Sequence, residues 1–327
     1  MIISRTPLRA SFCGGGTDID LYAHKEKDGG MVVSVALNSF IHVTVNKRFD
    51  EKVRVAYSKV ELVDNFENLE HELVREAMRI CGVTSGVEIT TIADIPSKGT
   101  GLGSSSSVTV GLLNALHAFS GHDASAKQLA EEACTIELDI LKQPIGRQDQ
   151  YAAAFGGINA INFTSEGISV SPLEISDEII NRMQNEFTLV FTGISRSASK
   201  ILAELPSNQE DKMSRLHHIR SQANESRRML ENGDLSSLGA LLSEAWELKR
   251  GISSSVSNEA LDSLYSHIIK LGATGAKLLG AGGGGFFLIH GNQDIRKALI
   301  SELAPKNKVL PLMIDFHGSS IIYNSFS

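Results

Sequence analysis

Residues 96–108, P-S-K-G-T-G-L-G-S-S-S-S-V, constrain the fold of this 327-residue chain more than any other stretch. Residues 87–92 before it alternate apolar and polar side chains, as a strand does. The mainly apolar run that follows it is typical of a buried helix. The sequence therefore predicts a strand, a loop and a helix in that order. The loop contains Gly99, Gly101 and Gly103, followed by the serines Ser104, Ser105, Ser106 and Ser107.

A loop of this composition suits the binding of phosphate groups. Glycine has no Cβ and tolerates positive φ, so backbone N–H groups can approach an anion closely. The start of the following helix adds unpaired N–H groups, and serine hydroxyls can cap that helix or ligate Mg²⁺. We predict a triphosphate cradle, although the chain has no G-x-x-x-x-G-K-[ST] motif. A flexible Gly/Ser linker is the alternative, and the apolar segments on both sides argue against it.

Composition restricts the class of protein. With 42% hydrophobic and 21% charged residues, the chain has the composition of a soluble globular protein of one large or two medium domains. The net charge of −7 argues against a nucleic-acid partner, and no apolar run reaches the length that a membrane span needs. Arg5 and Arg9 interrupt the N-terminal segment, which lacks a signal-peptide core. We expect a cytoplasmic protein with reduced thiols at Cys13, Cys81 and Cys134.

A second glycine-rich stretch lies at residues 278–285. Gly280, Gly282 and Gly285 satisfy G-x-G-x-x-G, but a dinucleotide-binding fingerprint needs a helix after the glycines. The apolar run F-F-L-I-H follows here and predicts a strand. We therefore expect this loop to pack against another backbone, with the first glycine loop as its partner.

Two carboxylates are candidates for the chemistry that a phosphate cradle serves, because phosphoryl transfer needs Mg²⁺ and a group that accepts the proton of the acceptor hydroxyl. Glu137 lies on a predicted helix over residues 124–143, capped by Ser125, on the inward face with Cys134. An inward glutamate paired with an arginine is the alternative. Asp149 follows the helix stop at Pro144, where a loop carboxylate can accept a proton or simply cap a short helix. Arg147 and Arg9 are candidate partners of Asp149.

The triple glycine at residues 14–16 predicts a close approach to the backbone. Asp18 follows it, and its carboxylate could accept hydrogen bonds from sugar hydroxyls. A turn aspartate after Thr17 is the alternative.

Several other segments predict ordinary strands and helices. Residues 2–4 look like a short edge strand, and residues 31–37 and 40–46 alternate well enough to predict two strands. A predicted strand at residues 186–192 marks the start of a second domain. Spacing and end signals predict helices at residues 209–233, 236–251 and 258–272.

Three motifs in this chain resemble those of the GHMP kinases, the family of galactokinase, homoserine kinase, mevalonate kinase and phosphomevalonate kinase. They are P-L-R-A-S-F-C-G-G-G-T-D at 7–18, P-x-x-x-x-G-L-G-S-S-S at 96–106 and K-L-L-G-A-G-G-G-G-F at 277–286. The first aligns without gaps on P-G-R-V-N-L-I-G-E-H-T-D of galactokinase, with Gly15 and Gly16 in place of Glu-His. Because the motifs occur in the family's order over nearly the whole chain, it is identified as a member.

This resemblance implies a fold and a set of roles. The fold is α+β with two domains, one like ribosomal protein S5 domain 2 at residues 1–180 and a ferredoxin-like one at residues 181–327. ATP and Mg²⁺ are implied, with Mg²⁺ on Ser105 and Glu137. Asp149 is the implied catalytic base, and Arg9 supports it. The implied ATP-binding residues are Gly99, Gly101, Leu102, Gly103, Ser104, Ser105 and Ser106, and the substrate side comprises Gly15, Gly16, Thr17 and Asp18.

Within the family, residues 5–18, the four-serine loop and residues 145–157 resemble the sugar-1-kinases of bacterial heptose pathways. Fucokinases have similar motifs. The implied activity is phosphorylation of the anomeric hydroxyl of a heptose 7-phosphate, a small sugar phosphate. Its phosphate needs cations, for which Arg196 is our first choice and Lys249 and Arg250 are second.

Two other hypotheses are a kinase of a free sugar such as fucose and a non-catalytic sensor with the same fold. The presence of Asp149, Glu137 and both glycine loops argues against the sensor. A homodimer is one option for the oligomeric state, which the sequence leaves open.

Overall fold

Two long antiparallel strands, β1 (Ile2–Cys13) and β2 (Gly30–Lys47), lie at the centre of the larger of two sheets. The computed structural model describes residues 1–96, 99–195, 209–251, 255–304 and 306–326. The prediction of a short edge strand at residues 2–4 is wrong, because β1 has 12 residues and is paired on both sides. The two strands predicted at 31–37 and 40–46 are one. The pairing passes from Pro7 with Phe40 to Leu8 with Leu37, so a bulge at residues 38–39 interrupts the alternation without ending the strand.

Among the described residues, the larger sheet has eight strands, in the order β12-β1-β2-β5-β3-β4, with β6 paired to β2 and β7 paired to β6. Most of its strands come from the first half of the chain, but β12 crosses back from the C-terminal end to lie beside β1. The bounds of the remaining strands are β3 (Val53–Ala56), β4 (Val60–Val63), β5 (Val87–Ala93), β6 (Ile158–Thr164), β7 (Gly167–Pro172) and β12 (Ser320–Asn324).

The helices of this part are α1 (Asp20–Ala23), α2 (Glu72–Cys81), α3 (Ser104–Phe119), α4 (Ala126–Cys134) and α5 (Gln148–Phe155). As predicted, Ser125 caps α4, since its side chain accepts a hydrogen bond from the Gln128 N–H. The predicted continuous helix over 124–143 is wrong in its second half, where Thr135–Ile140 form a π-helical turn. Such turns widen a helix locally and are frequent at functional sites. This one carries Glu137.

In the part of the chain that the structure describes, the smaller sheet has four antiparallel strands in the order β11-β8-β10-β9. The strand predicted at 186–192 and the helices predicted at 209–233, 236–251 and 258–272 are confirmed within a few residues. The strands are β8 (Phe187–Phe191), β9 (Gly275–Leu278), β10 (Phe286–His290) and β11 (Val309–Pro311), and the helices are α6 (Asp177–Glu186), α7 (Gln209–Glu231), α8 (Leu235–Arg250), α9 (Glu259–Lys270) and α10 (Gln293–Leu303). Among the described residues, none of the helices combines the length and the hydropathy that crossing a membrane requires.

The end of β1 is where the two sheets meet. The rings of Phe12 and Phe187 pack edge to face with their centroids 5.6 Å apart. Lys277 Nζ on β9 donates to the carbonyl oxygens of Ser11 at 3.1 Å and Phe12 at 2.7 Å. These contacts fix β9, and the second glycine loop that follows it, against the first sheet. The domain boundary near residue 180 stays a prediction.

Candidate active site

The first glycine loop joins β5 to α3, as the sequence predicts. Gly99, Gly101 and Gly103 all have left-handed backbones, with φ of +70°, +74° and +74°. Side chains other than glycine rarely adopt this conformation, so the local fold depends on these glycines. The buried Leu102 anchors the loop, and its carbonyl oxygen accepts a hydrogen bond from the Arg9 N–H at 3.0 Å.

The second glycine loop interlocks with the first, which confirms the predicted packing. A Cβ added to Gly280 would lie 2.4 Å from Gly101 Cα, and one added to Gly285 would lie 2.3 Å from the carbonyl oxygen of Thr100. The Phe286 N–H also donates to that oxygen at 3.1 Å. Strand β10 follows the loop, so the helix of a dinucleotide-binding fingerprint is missing at residues 286–290.

The serines after the loop have different environments in the first turn of α3. Ser104 is buried, and its Oγ lies 3.1 Å from Thr100 Oγ1. Ser106 is also buried, whereas Ser105 is exposed. The first-turn N–H groups of a helix have no intrahelical acceptors and can bind an anion. Ser105 is therefore the serine best placed to meet a ligand at this helix end.

Asp149 and Arg9 form the central ion pair of the site. Arg9 Nε donates to Asp149 Oδ1 at 2.7 Å, and Nη2 donates to Oδ2 at 2.8 Å. The remaining nitrogen, Nη1, donates to the Gly101 carbonyl oxygen at 2.6 Å, so one buried arginine holds both the carboxylate and the glycine loop. A Cβ on Gly103 would lie 3.2 Å from Asp149 Oδ2. Glycine at this position lets the carboxylate lie directly against the loop.

Glu137 lies on the π turn and is fully buried. Its Oε1 accepts a hydrogen bond from Ser105 Oγ at 3.1 Å, and its Oε2 accepts one from Gln150 Nε2 at 2.6 Å. Burial raises the pKa of Glu137 to about 7, against the effect of hydrogen bonds from Ser106, Gln150 and Ser105. The structure thus brings together Ser105 and Glu137, the two predicted metal ligands. The hydrogen bonds that it describes for Glu137 come from serines and a glutamine, not from an arginine.

Asp18 ties the N-terminal glycine turn to the segment before Asp149. Its Oδ1 accepts from the Gly16 N–H at 2.8 Å, and its Oδ2 accepts from both Gln148 N and Gln148 Nε2 at 3.1 Å. The residue is 1% exposed, and burial raises its pKa. These contacts give Asp18 a positioning role. Direct contact with sugar hydroxyls stays a prediction.

Thr17 is buried, and its hydroxyl donates to the carbonyl oxygen of Gly14 at 2.8 Å. It also accepts from the Met31 N–H at 3.0 Å. These bonds shape the turn that carries Gly15 and Gly16. Leu216 of α7 lies against this turn, since a Cβ on Gly16 would be 3.6 Å from its Cδ2.

The structure gives different results for the arginines that the sequence predicts near the site. Arg147 pairs with Asp20 through Nε at 2.8 Å and Nη2 at 2.9 Å, so the prediction that it partners Asp149 is not supported. Arg250 pairs with Glu247 and Asp262. Arg196 lies outside the described residues.

Sequence reasoning missed three residues of the site. Gln148 and Gln150 flank Asp149. The side chain of Gln148 donates a hydrogen bond to Asp18, and that of Gln150 donates one to Glu137. Polar residues beside a loop aspartate are too common to predict a functional role. Their positions directly before and after Asp149 were the one feature that could have indicated such a role. Lys277 begins the motif at 277–286 but was assigned no role, and it holds the second glycine loop to β1.

Comparison with known protein families identifies the class of protein to which this chain belongs. Residues 54–157 match the family described as GHMP kinases N terminal domain, and residues 226–307 match GHMP kinases C terminal. The chain belongs to the GHMP kinases, and it is an ATP-dependent phosphotransferase that acts on a sugar hydroxyl. The predicted family and the predicted two-domain α+β fold are confirmed.

Individual proteins similar to this chain include sugar kinases. The chain is 32% identical to the D-glycero-alpha-D-manno-heptose 7-phosphate kinase of Campylobacter jejuni over 320 residues, which cover 92% of this chain and 93% of that protein. It is 25% identical to the L-fucokinase/L-fucose-1-P guanylyltransferase of Bacteroides fragilis over 95% of this chain but 37% of that protein. The crystal structure of a D-glycero-D-manno-heptose 1-phosphate kinase from Bacteroides thetaiotaomicron superposes with a TM-score of 0.81 at 24% identity and covers 99% of this chain and 100% of that one.

Proposed function

We propose that this chain transfers the γ-phosphoryl group of ATP to the anomeric hydroxyl of D-glycero-D-manno-heptose 7-phosphate and forms the 1,7-bisphosphate. The observation that carries the proposal is the Arg9–Asp149 pair, held against the glycine loop at Gly101 and Gly103. The choice of sugar is supported by the 32% identity to the Campylobacter jejuni enzyme.

The proposed mechanism assigns each part of the site one task. The loop and the start of α3 bind the ATP phosphates through backbone N–H groups. Asp149 accepts the proton of the anomeric hydroxyl as that oxygen attacks the γ-phosphorus and ADP leaves. Arg9 holds both carboxylate oxygens, which fixes the direction in which Asp149 faces the acceptor. Positioning and charge stabilisation supply most of the rate in such reactions.

Mg²⁺ is the metal expected with ATP, and Ser105 and Glu137 fit it. A hydroxyl and a carboxylate are hard oxygen ligands, and here they lie within 3.1 Å of each other beside the loop. In the part of the chain that the structure describes, no group of three or more acidic, His or Cys side chains could hold a metal. This suits Mg²⁺, which is usually held by one or two carboxylates together with phosphate oxygens and water. When bound, the ion would neutralise charge on the phosphates.

Exchange of Glu137 for glutamine tests the metal assignment. Glutamine keeps the shape of the side chain and can still accept from Gln150, so we expect the fold to persist. The lost charge should raise the Mg²⁺ concentration for half-maximal activity by at least about ten-fold. The measurement is a Mg²⁺ titration of ADP release. Asp139→Asn is the matched control, because Asp139 is exposed on the same turn. Equal Mg²⁺ requirements in both variants would remove Glu137 as a ligand.

The substrate is tested with a panel of acceptors. Purified protein is incubated with Mg-ATP and heptose 7-phosphate, sedoheptulose 7-phosphate, mannose, fucose or galactose, and ADP release is measured. We expect turnover with the heptose 7-phosphate alone. Turnover of fucose would support the second candidate, a free-sugar kinase, which the similarity to the Bacteroides fragilis fucokinase favours. Turnover of none of them, with ATP still bound, would contradict both.

A cytoplasmic location and a homodimer stay predictions.

A further inference from the structure

The smaller sheet contributes a cation to the site that the proposed mechanism does not use. Lys249 lies in the last turn of α8, and its Nζ donates to the carbonyl oxygen of Gly280 in the second glycine loop. Gly280 packs directly on Gly101, whose own carbonyl oxygen accepts from Arg9. The Lys249 ammonium is thus separated from the Arg9–Asp149 pair by two touching loop backbones.

The charges around Lys249 are not balanced. Two cations, Lys277 and Arg9, act on it, and Asp18 is the carboxylate that opposes them. Arg9 is already paired with Asp149, and Lys277 bonds neutral carbonyl oxygens. Within the described residues, the Lys249 ammonium donates to another neutral oxygen, the carbonyl oxygen of Gly280. Lys249 is partly buried. A partly buried cation without an ionic partner is costly, and that cost falls when an anion binds.

The neighbouring residue shows that this environment is particular to Lys249. Arg250 lies next to it on α8, and its Nη1 donates to Glu247 Oε1 at 2.8 Å while its Nη2 lies 3.1 Å from Asp262 Oδ1. Arg250 therefore has its anions within the chain. In the described residues, the Lys249 ammonium contacts the second glycine loop, whereas the Arg250 guanidinium contacts the carboxylates of Glu247 and Asp262.

We propose that Lys249 binds a phosphate monoester group during the reaction, either the distal phosphate of the sugar or the γ-phosphoryl group of ATP. The ammonium contacts the second glycine loop, which packs on the predicted ATP-binding loop, and its charge interacts with that of Asp18. It therefore adjoins both the ATP side and the predicted substrate side. A lysine suits this task because it is a compact point charge with three donors. The assignment rests on the proposed kinase function.

Steady-state kinetics of Lys249→Gln test the assignment. Loss of a charged hydrogen bond should raise one KM by about ten- to 100-fold. A rise in KM for heptose 7-phosphate alone identifies the sugar phosphate as the ligand. A rise in KM for ATP, or a fall in kcat with the sugar KM unchanged, identifies the γ-phosphoryl group. Lys249→Arg should restore the affected constant, and Arg250→Gln is the matched control. If Lys249→Gln leaves all three constants within about two-fold of wild type, the proposal is wrong.

Proton uptake provides a readout that a structural role would not move. Desolvation, Lys277 and Arg9 lower the pKa of Lys249 to about 7, with Asp18 opposing them. At pH 8 the lysine is therefore mostly neutral, while a phosphate monoester is already a dianion because its second pKa is about 6. Binding of the anion should then draw a proton onto Lys249. Calorimetry in two buffers of different ionisation enthalpy should show uptake in wild type and none in Lys249→Arg, which stays charged.

Failure of the kinase function can be told apart from failure of this assignment. Turnover by the wild-type protein on the acceptor panel tests the function alone. If no acceptor is used, calorimetry with a non-hydrolysable ATP analogue and with sedoheptulose 7-phosphate still tests Lys249. Weaker binding of either probe to Lys249→Gln than to Arg250→Gln supports the assignment. Equal binding by the two variants overturns it.

Discussion

Replacement of Asp149 by asparagine should lower kcat by about 10² to 10⁴-fold, the usual contribution of a general base. Asparagine retains one oxygen that can accept from Arg9, so the pair loses its charge but keeps much of its geometry. The acceptor hydroxyl then has no group to take its proton. Because the glycine loop still binds the nucleotide, the KM for ATP should change by less than about three-fold. The measurement is ADP release with the accepted sugar under saturating Mg-ATP.

The matched control for this variant is Asp20→Asn. Asp20 is also paired with an arginine, Arg147, through two hydrogen bonds, but it lies outside the glycine loops. Its loss should leave kcat close to wild type. An Asp149→Asn enzyme that kept full turnover would show that the carboxylate is not the base and that its contact with Arg9 is structural.

Exchange of Gly280 for alanine should lower both stability and ATP affinity. The new Cβ would lie 2.4 Å from Gly101 Cα, and the backbone at +70° adds strain. A left-handed residue costs about 1–2 kcal/mol and overpacking about 1–3 kcal/mol, so we expect a loss of roughly 2–5 kcal/mol in the free energy of unfolding. To relieve the overlap, the two loops must separate, which moves the backbone that binds phosphate. Urea unfolding and nucleotide titration measure the two effects.

Gly121→Ala separates strain from overlap. Gly121 has a similar φ of +79°, but nothing lies within 4 Å of a Cβ built on it. This control should lose only the strain, about 1–2 kcal/mol, and should bind nucleotide normally. If Gly280→Ala loses no more stability than the control, the two glycine loops do not touch in solution.

The glycine loops could be predicted from sequence because their requirements are local. Positive φ at Gly101 and Gly103 depends on the absence of a Cβ, which the sequence states directly. The order of strand, loop and helix follows from apolar periodicity on either side. The packing of one glycine loop on the other could also be inferred, because a row of glycines permits backbones to touch.

The ion pair at Asp149 could not be found from local pattern, because Arg9 is 140 residues away. Arg147 was the obvious local partner, but the chain turns at the start of α5 and its guanidinium points to Asp20. Arg9 and Arg147 were both candidates from the residues alone, and only the family resemblance favoured Arg9. The π turn at Glu137 was also missed, since one wide turn leaves the apolar pattern of a helix nearly unchanged.

Strand β12 has a consequence for how the molecule is made. It lies beside β1, and the Ser325 N–H donates to the Met1 carbonyl oxygen at 2.9 Å, so the outer edge of β1 is covered by a strand that follows the smaller sheet in the chain. During synthesis that edge stays open until the whole of the smaller sheet has left the ribosome. Pairing over such a sequence distance forms slowly, and an unpaired edge invites association with other chains. The growing polypeptide therefore carries an exposed sheet edge from the synthesis of β1 until that of β12, and chaperones can act on that edge throughout this interval.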